Sequence, residues 1–447
     1  MLQIHRSCEG IMASNSKVPV NRLSRFGHLA SLAGRVAGGM LAEGAKQLAQ
    51  GNRPAKADLL LTPANLRRVT DQLAHLRGAA MKVGQLLSMD AGDLLPPELS
   101  AILARLRSDA NPMPPKQLTA VLRAELGERW LDHFSDFSFT PLAAASIGQV
   151  HQAVHDNGRR LAVKIQYPGI QASIDSDVDN VATLLRISGL LPAGVDYQRL
   201  LQEAKLQLKQ EADYRTEAAF LTRYRELLQQ EPSYLLPEPI AEICTTGILG
   251  MTFVDGVAIE SLVDAEPAVR DRVISLLFTL LFRELFDFQL VQTDPNFANY
   301  RYNTTTNQLV LLDFGACRNY TPAFADAYRQ LLRAAMADDL QGMDQALCTI
   351  GFFSQQIDPT HRQAVLQLVL LACEPIRQTE AFDFGSSDLA SRVRDGGTAL
   401  SMRQNYWHTP PADALFLHRK MAGLYLLAAR LRAKVDVRAL LEPFLQR

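Results

Sequence analysis

The chain has few cysteines, almost no net charge and no long uncharged apolar run, and each of these absences excludes a class of protein. Its five cysteines are scattered without paired spacing, which argues against a disulfide framework or a zinc site. A formal net charge of -1 without a basic tract argues against nucleic acid as the main partner. No apolar run reaches the roughly 18 residues of a membrane-spanning helix. These features predict a cytoplasmic protein without a transmembrane helix.

At 447 residues the chain is longer than one ordinary domain. Its pattern predicts four regions: a basic amphipathic N-terminal segment over 1–60, a helical extension over 61–138, a strand-containing lobe over 139–256 and a mostly helical lobe over 257–447. In the first region basic residues outnumber acidic ones, and apolar residues recur at helical spacing. Such a segment would either lie on an anionic membrane surface or dock on the chain's own fold.

Two segments of the last region, Gln292 to Asn299 and Leu309 to Gly315, carry the strongest chemical signal. The first contains an Asp with an Asn five residues later, and the second is an apolar run that ends in Asp-Phe-Gly. Protein kinases use this arrangement to hold a nucleotide triphosphate with two metal ions. Carboxylate and amide oxygens are the ligands that Mg²⁺ prefers. The pattern predicts a base-and-metal site made by Asp294, Asn299 and Asp313.

The tripeptide Asp-Phe-Gly occurs a second time, at Asp383 to Gly385. Asp313 follows the apolar run Leu309 to Leu312 and has Asn299 a short distance upstream, so it lies where a hairpin strand ends. The second copy has neither feature. We interpret it as a loop without a role in nucleotide binding.

A predicted hairpin places a lysine among apolar neighbours. Strands are indicated over Ile147 to Val154 and Leu161 to Gln166, with a turn at Asp156 to Gly158. Lys164 lies in the middle of the second strand, where burying an ammonium group is costly unless anionic partners compensate. Phosphate oxygens and a glutamate on a helix are the natural partners.

Two glutamates are candidates for that pairing. Glu211 and Glu217 lie on one predicted helix from about Tyr197 to Leu228. Since they are six residues apart, they point to different faces of the helix, and only one of them can readily pair with Lys164. The other glutamate would then be available for a second cation.

Lys82 is a candidate for the second cation. It lies on a predicted helix over Leu66 to Met89, on a face shared with Gln85 and Gly78 and opposite an apolar stripe. A solvated face for Lys82 and Gln85 is the alternative. The sequence does not decide which acid pairs with which lysine.

The segment Leu142 to Val150 places alanines where ordinary kinases place glycines in the phosphate-covering loop. Alanine strongly prefers right-handed backbone, so this loop cannot wrap a triphosphate with the same positive φ angles. Nucleotide is therefore expected to bind in an altered pose, with a hydroxyl supplying a phosphate or metal contact. The candidate nucleotide-binding residues here are Ala143, Ala144, Ala145, Ser146 and Gly148.

Taken together, these motifs closely resemble the UbiB (AarF) family of atypical kinase-like proteins, in particular the branch that supports coenzyme Q biosynthesis. The motifs are Lys82-Val-Gly-Gln85, the alanine loop, Ala-Val-Lys164, Glu211-Ala-Asp213, Gln-Thr-Asp294-Pro-Asn and Asp313-Phe-Gly. They occur in the family's order and cover about Leu66 to Asn319.

The resemblance implies an α+β, bilobal protein-kinase-like fold whose helical N-terminal extension packs over the active site. It implies ATP or ADP and Mg²⁺ as cofactors, with Lys164 on the α/β phosphates, Asn299 and Asp313 on the metal and Asp294 as the catalytic base. The implied gating residues are Lys82, Gly84 and Gln85, acting with Glu211, Asp213 or Glu217. The implied partners are nucleotide, an anionic membrane, quinone-like lipid precursors and proteins of ubiquinone biosynthesis, with a peripheral location at the inner membrane.

Two departures from ordinary kinases narrow the expected activity. Gln292 and Thr293 replace the usual His-Arg before the catalytic Asp, and neither Ala-Pro-Glu nor an activation segment follows Gly315. A platform for protein substrates is therefore missing from the sequence. We expect an ATPase or small-molecule kinase that supports ubiquinone biosynthesis at a membrane surface. A nucleotide-binding pseudokinase scaffold is the alternative, and a protein kinase acting in trans is disfavoured.

Overall fold

The computed structural model describes residues 73, 76, 78–80, 82–84, 112–145, 147–187, 197–353, 357–403 and 411–446. The chain divides into two compact units. Unit 1 comprises Met1–Ala218 and Pro239–Phe253, and unit 2 comprises Ala219–Glu238 and Val254–Arg447. The predicted basic segment over 1–60 lies outside the described residues.

Unit 1 contains a four-stranded antiparallel sheet in the order β1-β2-β3-β5. Its strands are β1 (Phe134–Ala144), β2 (Gly148–His155), β3 (Arg160–Gln166) and β5 (Ile248–Thr252). The predicted hairpin is confirmed as β2 and β3. The sheet begins at Phe134, which is earlier in the chain than the predicted start of the strand-containing lobe at residue 139.

The core of unit 1 forms where this sheet meets helix α1 (Pro115–Leu126). Pro115 begins the helix, and Gly127, with φ of 85°, follows its last residue. Leu118 and Leu122, one helical turn apart, are fully buried against the alternating apolar side chains of the strands. The helix therefore docks on the sheet through one stripe.

Helices α2 (Ile170–Ile187), α3 (Tyr197–Glu211) and α4 (Tyr214–Leu227) follow the hairpin. The prediction of one helix from Tyr197 to Leu228 is wrong, because the chain breaks between α3 and α4. Asp213 caps α4: its carboxylate accepts hydrogen bonds from the Arg215 amide at 3.1 Å and the Thr216 hydroxyl at 3.3 Å. The Asp213 carboxylate thus offers the first amides of α4 an alternative to hydrogen bonds with the carbonyls of α3. For this reason α3 ends and a new helix begins.

Unit 2 contains a second small sheet in the order β4-β9-β8-β6. Its strands are β4 (Tyr234–Leu235), β6 (Val257–Ala258), β8 (Tyr300–Asn303) and β9 (Gln308–Leu311). The hairpin of β8 and β9 confirms the strand predicted before Asp313. Two further antiparallel pairs join β7 (Leu290–Gln292) to β10 (Cys317–Asn319) and β11 (Phe382–Asp383) to β12 (Lys434–Val435).

The helices of unit 2 are α5 (Pro267–Arg283), α6 (Pro322–Met336), α7 (Leu340–Ile350), α8 (Pro359–Ala372), α9 (Glu374–Arg377), α10 (Leu389–Arg403), α11 (Ala412–Arg430) and α12 (Val437–Leu445). The apolar helix α5 buries most of its large apolar side chains, and a single π turn (Glu284–Phe288) continues it. Among the described residues, no helix has both the length and the apolar character needed to cross a bilayer.

The predicted helix over Leu66 to Met89 is confirmed where the structure describes it. Leu73, Gly78 to Ala80 and Lys82 to Gly84 are helical. The apolar stripe is buried at its four described positions, Leu73, Leu76, Ala80 and Val83. This segment belongs to unit 1. Its position over the active site stays a prediction.

Candidate functional site

Unit 1 contains a buried ion pair between Lys164 and Glu217. Lys164 lies on β3, and its ammonium group donates to both carboxylate oxygens of Glu217, at 2.9 and 2.8 Å. Only 9% of Lys164 and 3% of Glu217 is exposed. The ammonium also lies 4.9 Å from the centre of the Tyr214 ring. The carboxylate therefore compensates for the buried ammonium.

A second buried lysine forms its own pair in unit 1. The Lys82 ammonium donates to Glu211, the last residue of α3. The break after α3 separates the two acids onto different helices, so each lysine has its own glutamate. The structure thus shows which glutamate pairs with which lysine, a question that the sequence left open. The solvated face proposed as the alternative for Lys82 is wrong, because Lys82 is 5% exposed.

The connection between α3 and α4 is held by hydrogen bonds from side chains to its backbone. The Ala212 carbonyl accepts from the Gln166 side chain at 2.8 Å and from the Gln171 side chain at 2.6 Å. The Asp213 carboxylate caps α4, as described above. Gating roles for Asp213 and Gly84 stay predictions, and Gln85 lies outside the described residues.

The alanine segment ends one strand and precedes another. Ala143 and Ala144 are the last residues of β1, and the Ala145 amide donates to the Gly148 carbonyl at 2.9 Å. None of the three alanines has a positive φ, as expected for their side chains. A methyl group on Gly148 would overlap with the backbone carbonyl of Ile165 on β3, so close strand packing requires this glycine. Nucleotide contacts by these residues stay predictions, and Ser146 lies outside the described part of the chain.

In unit 2, Asp294 and Asn299 are in direct contact. The loop that follows β7 carries both residues, and the Asn299 amide nitrogen donates to one Asp294 carboxylate oxygen at 3.0 Å. The Leu312 amide donates to the Asn299 carbonyl at 3.0 Å, which ties the loop to the end of β9. The Thr293 hydroxyl donates to the Ala316 carbonyl at 2.7 Å. These contacts connect the loop that carries Asp294 to the residues just before and just after Asp313.

The two Asp-Phe-Gly copies fold into the same local turn. One Asp313 oxygen accepts from the Gly315 amide at 3.0 Å, and one Asp383 oxygen accepts from the Gly385 amide at 2.9 Å. Asp383 is exposed and also accepts from Ser386, whose backbone N–H holds the pKa of that carboxyl below its usual value. Asp313 and Asp383 therefore differ in their surroundings and not in the conformation of the tripeptide.

The donor set of unit 2 fits magnesium. The described residues contain no group of three or more His, Cys, Asp or Glu side chains arranged to bind a metal ion. Magnesium does not require such a group, because it is usually held by one or two carboxylates together with substrate phosphates and waters. Asn299 uses its amide nitrogen on Asp294, which leaves the amide oxygen as the atom that would ligate a metal. Asp313 and Asn299 are the residues that would hold the ion.

A buried polar network supports the Asp294 loop. Lys420 on α11 donates to the Gln292 side chain at 3.1 Å and to the Tyr300 hydroxyl at 2.9 Å, and it lies 3.4 Å from the Glu284 carboxylate. Burial by itself lowers the pKa of Lys420, but Glu284 and Tyr300 outweigh this effect and hold it above its usual value. Lys420 is therefore charged, and its pair with Glu284 anchors α11 beneath the loop.

Helix α11 contacts the same loop at two more positions. Arg419 donates to the second Asp294 carboxylate oxygen at 3.3 Å. A methyl group on Gly423 would overlap with Pro295, so this glycine allows the helix to approach the loop. Sequence reasoning missed Arg419, Lys420 and Glu284. The available signals were a basic pair within a mostly apolar helix and an acid directly after the apolar helix α5.

Comparisons with known proteins identify the family of this chain. The model of the ABC1 atypical kinase-like domain matches residues 105–347, more than half of the chain. The chain is 38% identical over 423 residues to the mitochondrial atypical kinase COQ8 of Saccharomyces cerevisiae, covering 94% of this chain and 84% of that protein. It is 37% identical over 432 residues to the mitochondrial atypical kinase COQ8B of Rattus norvegicus, covering 95% of this chain and 81% of that protein.

A solved structure shares the fold. The Rv3197–erythromycin complex from Mycobacterium tuberculosis aligns with a TM-score of 0.60 and 26% identity, covering 83% of this chain and 93% of that chain. The relatives of this chain are thus atypical kinases. The chain itself has two units, a paired lysine on β3 and a hairpin that leads into Asp-Phe-Gly. The chain belongs to the ABC1 atypical kinase-like family, and its fold is the α+β, bilobal fold of kinases.

Proposed function

We propose that this protein is a magnesium-dependent, ATP-binding enzyme that hydrolyses ATP or transfers its terminal phosphoryl group to a small molecule. The observation that carries the proposal is the buried Lys164–Glu217 pair, in which both carboxylate oxygens bind one ammonium group at 2.9 and 2.8 Å. Kinases use a strand lysine held by a helix glutamate to bind ATP phosphates. The pair fixes the lysine before nucleotide arrives.

The chain's own residues have separate roles in this reaction. Lys164 binds the α/β phosphates, and Asn299 and Asp313 hold Mg²⁺, which neutralises phosphate charge when bound. Asp294 accepts the proton of the attacking hydroxyl or water. The new bond joins that oxygen to the terminal phosphorus, and the bond from this phosphorus to the bridging oxygen breaks, which releases ADP.

We further infer that the activity supports ubiquinone biosynthesis at a membrane surface. The support is the resemblance of the ordered motifs to the coenzyme Q branch of the family, together with the COQ8 names of relatives that match over more than nine-tenths of the chain. Quinone-like lipid precursors and an anionic membrane are the partners this role requires. The absent activation segment disfavours proteins as phosphoryl acceptors.

Nucleotide binding is tested by comparing the two Asp-Phe-Gly copies. Asp313→Asn keeps the turn, because the amide oxygen can still accept from Gly315, but it removes a charged metal ligand. Asp383→Asn is the matched control. Saturating Mg-ADP, at about 100 times its Kd, should stabilise the wild type and Asp383→Asn by about 2.7 kcal/mol. The Asp313→Asn variant should lose most of this stabilisation in a thermal-shift measurement. An equal response of Asp313→Asn and the wild type would refute the proposed metal site.

The reaction is tested by ATP turnover with and without anionic liposomes and a quinone-like phenol. We expect the additives to raise turnover of the wild type, and Asp294→Asn to abolish it. If turnover is undetectable while Asp294→Asn still supports ubiquinone synthesis in cells, the protein is a nucleotide-dependent scaffold and the enzymatic proposal fails. Efficient phosphoryl transfer to an added protein would contradict the small-molecule assignment.

A further inference from the structure

We propose that Arg419, on helix α11, is a positioning residue of the magnesium site. Its guanidinium group orients Asp294, and Asp294 in turn orients the Asn299 amide. This inference rests on the proposed function, because it assigns a role toward the Mg²⁺ that accompanies nucleotide. It adds a residue from near the C-terminus of the chain to the motifs that the sequence identified.

The Asp294 carboxylate is held from both sides. One oxygen lies 3.3 Å from the Arg419 guanidinium nitrogen, and the other accepts from the Asn299 amide nitrogen at 3.0 Å. The Arg419 and Asp294 side chains are 12% and 22% exposed, so water screens the ion pair only partly. A carboxylate with both oxygens engaged has one preferred rotation. This rotation keeps the nitrogen of the Asn299 amide toward Asp294 and its oxygen available as a metal ligand.

Arg419 can act in this way because helix α11 is fixed against the loop. Positions 419, 420 and 423 share one side of the helix. Lys420 is 3% exposed and bonded to Gln292, and Gly423 lets the helix backbone approach Pro295. The base of the Arg419 side chain therefore has little freedom, which gives its charge a defined position.

The loop lacks its own cation at this place. Ordinary kinases place an arginine directly before the catalytic Asp, whereas Thr293 occupies that position here and its hydroxyl donates to Ala316. The Asp294 carboxylate is contacted instead by Arg419, which lies 125 residues later in the sequence. Helix α11 therefore places a positive charge beside this carboxylate, whereas residues 292–299 contain no Lys or Arg.

The test measures how much Mg²⁺ is needed for ADP to stabilise the protein against heat. Removing a residue that is hydrogen-bonded to a metal ligand typically weakens metal binding by about 10-fold or more. Because Arg419 contacts Asp294, which in turn contacts the proposed ligand Asn299, we expect Arg419→Met to raise the Mg²⁺ midpoint by up to about 10-fold, and Arg419→Lys, which keeps the charge, to raise it less. Arg419→Gln serves as a second neutral variant, and the melting temperature without ligand reports folding. Arg430→Met is the matched control, since Arg430 lies on the same helix in an exposed pair with Glu260.

A double variant separates positioning from general damage. If Arg419 acts through Asp294, Arg419→Met should add nothing further to the Mg²⁺ midpoint of Asp294→Asn. A wild-type midpoint in both neutral variants, or the same shift in the Asp294→Asn background, would overturn this inference and leave the proposed function intact. Absence of any Mg²⁺-dependent ADP stabilisation in the wild type would instead overturn the proposed function and, with it, the role of Arg419.

Discussion

Replacing Lys420 with methionine tests whether the buried pair with Glu284 holds the Asp294 loop. Glu284 is fully buried and Lys420 is 3% exposed, with 3.4 Å between the charged groups. Removing one partner of such a pair leaves an uncompensated buried group and costs about 3–5 kcal/mol. For a unit of roughly 200 residues, each kcal/mol lowers Tm by about 2–4 °C, so the expected fall is roughly 6–20 °C.

The pH dependence of this loss has a definite sign. Burial raises the pKa of Glu284, and the Lys420 ammonium opposes that rise. Because the folded-state pKa lies above the unfolded value of about 4.3, the contribution of Glu284 to stability falls as pH increases through the folded-state pKa. Without Lys420 the pKa rises further and this fall becomes larger. The destabilisation by Lys420→Met should therefore be greater at pH 8 than at pH 5.

The assay is denaturant unfolding at both pH values, with a double variant as the internal comparison. Adding Glu284→Gln to Lys420→Met removes the unpaired acid, so it should recover part of the lost stability and most of the pH difference. Arg430→Met, which breaks an exposed pair on the same helix, should stay within about 1 kcal/mol of the wild type. A cost below about 1 kcal/mol for Lys420→Met, or no recovery in the double variant, would refute the reasoning.

Two further substitutions probe contacts described above. Glu217→Gln should weaken ATP binding and lower stability by about 3 kcal/mol, because Lys164 loses its charged partner; titration calorimetry and unfolding would measure both, and unchanged ATP affinity would contradict the pairing. Gly423→Ala should cost about 1–3 kcal/mol and reduce ATP turnover, since its methyl group would push α11 away from Pro295. An alanine variant with wild-type melting and turnover would show that the close approach is not required.

Local sequence patterns were sufficient to predict some of the strands, whereas the metal-binding roles of Asn299 and Asp313 stay predictions. The hairpin of β2 and β3 and the strand before Asp313 follow from alternation and turn residues, which act within a few positions. The same reasoning failed between α3 and α4. Helical periodicity continues through that segment, but the Asp213 cap and the contacts of Ala212 end one helix and begin another.

The sequence by itself determined the set of kinase-type motifs, their order and the chemistry that their side chains can perform. Only the tertiary structure paired Lys164 with Glu217 and Lys82 with Glu211, and only it brought α11 to the Asp294 loop. It also showed that the two identical tripeptides fold into the same local turn. The physical reason is range: strand alternation and turn propensity depend on neighbouring residues, whereas an ion pair between residues 125 positions apart depends on how whole helices pack.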